Sequence, residues 1–209
     1  MLQIIKNTLG IIVLTGITII SITVINNEVL AEEISKPFET FTVYKDKPSR
    51  NHYAASGYMP VGKCVTIDDA YREGCQWGKS CIKVIFDGAC ATVNLGWAGA
   101  YWLDPANNWG DEKGGFDLTG AQQLTFWARG EKGGEMINFK MGGSGMNHKY
   151  ADTDTAGIGP LSLSKEWREY SINLKNKNLS RIIGGFAFVA NAKFNPGQTV
   201  FYIDEIYYK

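Results

Sequence analysis

Past its first forty or so residues the chain repeats one pattern, short runs in which apolar and polar side chains alternate, divided by glycine-rich or Asn/Pro segments. Two runs show it cleanly: Leu124, Phe126 and Ala128 alternate with Thr125, Trp127 and Arg129, and Ile137, Phe139 and Met141 alternate with Met136, Asn138 and Lys140. A period of two sends one set into a core and the other to a sheet surface. With the β-branched and aromatic content of its other runs, the pattern predicts strands over 39–44, 81–86, 91–103, 123–129, 135–141, 167–174, 182–190 and 199–208. Gly114-Gly115, the stretches 130–134 and 142–145, and Asn195-Pro196-Gly197 are turn formers between them. One weak helical pattern covers 67–72. Short strands with this punctuation predict an all-β fold, a two-sheet antiparallel β-sandwich of jelly-roll type, with no repeat and no second domain.

The N-terminus adds a targeting segment. Lys6, an apolar run over 9–25 and the small-residue ending Val29-Leu30-Ala31 predict a secretory signal peptide over 1–31, followed by one β-sandwich domain over 32–209. An uncleaved anchor is the alternative, because the run approaches the roughly 18 residues that span a bilayer. Secretion or display at the cell surface is expected. With 21 basic and 21 acidic residues, no charge excess suggests a nucleic-acid or polyanion partner. The expected partner is a poly- or oligosaccharide, with no membrane contact once the leader is gone, and a monomer is expected.

In an exported chain Cys64, Cys75, Cys81 and Cys90 predict two disulfides, since their spacing fits no paired zinc motif. Asp87-Gly88 between two apolar runs reads as a two-residue hairpin turn. That register puts Cys81 several rungs from Cys90, beyond the roughly 7 Å between Cα atoms that a bridge tolerates. Cys75–Cys81 with Cys64–Cys90 is the preferred pairing, and the crossed pairing is the alternative.

Catalysis finds thin support. Only His52 and His148 are present, without a nucleophile elbow or a zinc-binding helix, and most candidate carboxylates sit in loops beside Gly, Pro or Lys. A glycan-active enzyme, lyase or hydrolase, would use Glu135 or Asp104 with a neighbour. Binding is better supported. Trp127 and Arg129 face away from the core side of their strand, where an indole can carry a pyranose ring and Arg129, Asn138 or Lys140 can bond its hydroxyls. In Gly96 to Gly110, alternation assigns Trp97, Tyr101 and Leu103 to the core and turns Trp102 outward, with Asn107, Asn108 and Trp109 on the following loop. Trp102, Asn107, Asn108, Trp109, Trp127, Arg129, Glu135 and Asn138 are therefore the expected ligand-binding residues. An envelope adhesion or structural protein, using the same aromatics against a protein partner, is a further alternative.

Asp204, a carboxylate in the apolar terminal strand, needs a partner. A structural calcium shared with Asp46 would serve, as would a salt bridge or backbone N–H donors.

The second half of the chain resembles the carbohydrate-binding jelly rolls of the galactose-binding-like superfamily. The resemblance rests on the stretch from Gly120 to Gly130, on Trp167-Arg168-Glu169-Tyr170-Ser171-Ile172-Asn173-Leu174, on Gly184-Gly185-Phe186-Ala187-Phe188 and on Phe201-Tyr202-Ile203-Asp204-Glu205-Ile206. It implies a non-catalytic sugar-binding module and a calcium ligand at Asp204, with Asp46 as a companion. The first half resembles uncharacterised exported bacterial proteins, to which no activity attaches.

Overall fold

The computed structural model describes the backbone of residues 19–25 and 28–34 and the whole of residues 37–209. The chain divides into two units, 1–38 and 39–209. In the first, Ile19–Ile25 (β1) pairs antiparallel with Glu28–Ile34 (β2). The expected leader over 1–31 otherwise lies outside the described residues. Among these, no helix is long and apolar enough to cross a membrane.

The second unit is built on two antiparallel sheets. Its strands are Phe41–Tyr44 (β3), Ala54–Met59 (β4), Val65–Tyr71 (β5), Cys81–Asp87 (β6), Trp97–Leu103 (β7), Gln123–Gly130 (β8), Met136–Gly142 (β9), Thr155–Ser162 (β10), Arg168–Asn173 (β11), Gly184–Asn191 (β12) and Gln198–Tyr208 (β13). One sheet runs β10-β9-β12-β7-β4; the other runs β11-β8-β13-β6-β5, with β3 also paired to β13. The expected jelly-roll sandwich is what forms. Phe126 packs on Phe139 at 4.6 Å and on Phe186 at 5.2 Å between ring centroids, and Phe188 on Phe201 at 5.1 Å. These rings come from opposite sheets and are fully buried, so they form the apolar layer between the sheets.

Both disulfides take the preferred pairing, Cys64–Cys90 and Cys75–Cys81. The turn that argued for it does not form. Asp87 caps a short helix, Gly88–Thr92 (α1), by accepting the Cys90 N–H at 3.0 Å, and β6 pairs with β5 and β13 instead. Asp-Gly suits a helix start as well as a hairpin. The conclusion survives because β6 itself separates Cys81 from Cys90. Three further readings are corrected. Residues 67–72 belong largely to strand β5, not a helix; strand structure in the 91–103 stretch begins only at Trp97; and β4 and β10 are strands that the pattern missed.

Candidate functional site

Trp102 lies between the sheets, 1% exposed, with its ring 5.4 Å from Phe186 and 6.3 Å from Phe188. That reverses the expected facing of β7: Ala98, Ala100 and Trp102 point inward, and Trp97, Gly99, Tyr101 and Leu103 point outward. Register carries the outward row across the five-stranded sheet. Gly57, Tyr101, Ala187, Lys140 and Gly157 are successive cross-strand partners, and Met59, Gly99, Val189 and Asn138 form the next row. Trp97 stands opposite Asn191 at the start of β7. Gly57, Gly99 and Ala187 are buried in this face, whereas Gly157 is exposed and Trp97, Asn138, Val189 and Lys140 stay partly open to solvent.

One end of the face is roofed. Tyr101 lies on the outward side yet is only 3% exposed, because Trp109 packs edge-on against it at 5.9 Å and Lys140 Nζ sits 5.3 Å from its ring centroid. Its hydroxyl donates to the Gly142 carbonyl at 2.9 Å, and burial pushes its ionisation up. Asp152 accepts N–H groups of Ser144 at 2.6 Å, Ile183 at 2.5 Å and Gly184 at 3.1 Å. Burial raises its pKa against those donors, and burial lowers that of Lys140 against the pull of Asp152. The sequence pattern assigned Tyr101 to the core between the sheets.

The other expected site residues scatter. Asn108 is 2% exposed; it accepts the Gly110 N–H and donates to the Glu112 carbonyl, both at 2.9 Å, so it organises the loop instead of facing a ligand. Asn107 is exposed at the loop tip, its N–H held by Ser56 Oγ at 2.9 Å. Trp127 and Arg129 lie on the outward side of the six-stranded sheet, across the sandwich from Asn138 and Trp109. There Arg129 stacks 3.9 Å from the Tyr202 ring and 5.4 Å from Trp167, and Lys83 lies 4.7 Å from Tyr71. The ladder covers the sheet with its own cation–π contacts. Glu135 sits in the turn before β9. Asp104 follows β7, which runs parallel to β9 because β12 is antiparallel to both. The two carboxylates therefore lie at opposite ends of the sandwich, about 20 Å apart along strands of this length.

Asp46 and Asp204 both accept backbone N–H groups. Asp46 Oδ1 accepts the N–H groups of Lys79 at 2.6 Å and Ser80 at 2.8 Å. Asp204 accepts those of Gln76 and Trp77 at 3.1 Å each and of Glu205 at 2.9 Å. Both thus anchor the Cys75–Cys81 loop. Among the described residues no group of three or more His, Cys, Asp or Glu is placed to hold a metal.

Burial is the largest influence on Asp204, raising its pKa from 3.8 to about 7 against these N–H donors. A folded value above the unfolded one means that the native state binds the extra proton. The resulting stability is complete below about pH 4 and is lost as pH rises through about 7. The thermal midpoint of the wild type is expected to fall over that window more steeply than that of Asp204→Asn; equal slopes would contradict the assignment.

Neither a family model nor a curated protein matches the chain. Among solved structures it is similar to a family 30 carbohydrate-binding module, at 13% identity and a TM-score of 0.51, over 82% of this chain and 98% of that one. It is also similar to the family 11 carbohydrate-binding module of a cellulosomal cellulase of Clostridium thermocellum, at 12% identity and a TM-score of 0.50, over 83% of this chain and 95% of that one. At these identities the likeness concerns the fold.

Proposed function

We propose that this is a secreted, non-catalytic carbohydrate-binding protein that holds a polysaccharide on the outward face of its five-stranded sheet. The observation that carries the reading is the part of the face left open to solvent, where Trp97, Asn138, Val189, Lys140 and the exposed Gly157 lie beside the covered cluster of Tyr101, Leu103, Ala187 and Trp109. Indole faces pack against sugar C–H groups, and amide and ammonium groups bond hydroxyls. The shared fold with modules named for carbohydrate binding supports it. Two disulfides suit an oxidising, extracellular compartment.

Native electrophoresis through gels containing mixed-linkage β-glucan, xyloglucan, glucomannan or xylan tests the reading. Retardation by at least one of these is expected, without release of reducing ends. Unretarded migration in all four would overturn it and favour a protein-binding role for the same face.

A further inference from the structure

Besides the sheet face, the sandwich has a cleft at one end. It has a volume of about 480 Å³ and is lined by the turn that carries the chain from β8 to β9, including Lys132, Gly133 and Glu135, and by Phe194, Gly197 and their neighbours between β12 and β13. Two inter-sheet connections thus form its walls, and both are pinned. Asn195 accepts the Met136 N–H at 3.0 Å and donates to the Met136 carbonyl at 2.8 Å, while the Glu131 N–H reaches the Val200 carbonyl at 3.0 Å.

Glu135 is the odd group in this cleft. It is 8% exposed; Oε1 accepts the Lys132 N–H at 2.8 Å, but Oε2 is buried with no hydrogen-bond partner. The carboxylate lies where a side chain at position 130 would project, so Gly130 is what leaves room for it. Oε2 is tucked against Gly130, and burying a carboxylate oxygen without a donor is costly, so turning the side chain toward a hydroxyl in the cleft would restore the missing hydrogen bond. Beside it Phe194 is 48% exposed, an apolar ring held at the mouth of a polar cleft.

We infer that this end cleft is a second saccharide site, separate from the sheet face, that takes the terminal unit of a neutral sugar chain. Glu135 accepts its hydroxyls and Phe194 stacks on its ring. The inference rests on the carbohydrate-binding reading. Neutrality follows from the charge balance, where Glu131 and Glu135 stand against Lys132 and Lys193, whose Nζ lies 5.8 Å from the Phe194 ring centroid, leaving no net cation to draw in a uronate or sulfate. A terminal unit follows from the two turns that bound the cleft, whereas the sheet face is open along its length. The volume falls within the range of small-molecule sites.

The test is an NMR titration of the full chain with cellotetraose, xylotetraose and mannotetraose. With at least one of them, amide shifts are expected at Lys132, Gly133, Gly134 and Gly197. Affinity at those amides should fall tenfold or more in Glu135→Gln and in Gly197→Trp, and should be unchanged in Asn138→Ala. Gly197→Trp guards against a folding artefact, because a Cβ at Gly197 meets nothing within 4 Å and its indole can fill the cleft. Silence of those amides with all three sugars, or shifts indifferent to Gly197→Trp, would overturn the end site alone if polysaccharide still retards the wild type. If retardation is absent too, the end site falls together with the carbohydrate reading.

Discussion

Trp102→Ala is expected to destabilise the domain by about 3 to 5 kcal/mol, the range for removing a large buried aromatic. The side chain is 1% exposed and wedged among Phe186 and Phe188 in the layer between the sheets, where strands paired on both sides of β7 leave little freedom to collapse into the void. Guanidinium unfolding should show the midpoint falling with its slope unchanged, the signature of lost stability without a change in the surface exposed. Trp127→Ala, on the partly open side of β8, should cost less than half as much. Equal losses, or a Trp102→Ala variant with intact stability and weakened sugar binding, would return Trp102 to the outward face that sequence alternation assigned it.

Why alternation succeeded at β8 and failed at β7 has a physical answer. In β8 the two sides differ in chemistry: Leu124, Phe126 and Ala128 against Thr125, Trp127 and Arg129. In β7 both sides are apolar or small, because the outward row at Tyr101 and Leu103 is itself covered by Trp109 and Met59. A strand buried on both faces carries no amphipathic contrast to read. Strand β5 was misread for a different reason. It is an edge strand, and Asp68, Asp69 and Arg72 in and beside it suit an edge better than a half-buried sheet.

The candidate site was only partly legible. Asn138 and Lys140 could be placed on one surface from their own strand. Their company could not, since Ala187 and Gly57 reach the same row through long-range register. The division of Trp109 and Trp127 between opposite faces is likewise a property of sheet order, which local pattern does not encode. The last-strand carboxylate was correctly singled out as needing a partner. That backbone N–H groups of the Cys75–Cys81 loop supply it became visible only when the loop was seen folded over Asp204.

The second large effect concerns binding. A double variant, Trp97→Ala with Asn138→Ala, removes one stacking surface and one hydroxyl partner from the open part of the five-stranded face, and each is expected to contribute on the order of 1 kcal/mol. Together they should weaken polysaccharide binding by tenfold or more, about 1.4 kcal/mol or above. Both side chains are partly exposed, so the fold should tolerate the change.

The most direct measurement is therefore a paired comparison of retardation on whichever polysaccharide slows the wild type. The Trp97→Ala, Asn138→Ala variant is set against Trp127→Ala, Lys83→Ala on the opposite sheet, with thermal midpoints recorded for both. The expected result is that the first variant migrates nearly as it does without polysaccharide while the second is slowed like the wild type. Loss of retardation only in the second variant would move the binding surface to the six-stranded sheet and contradict the account.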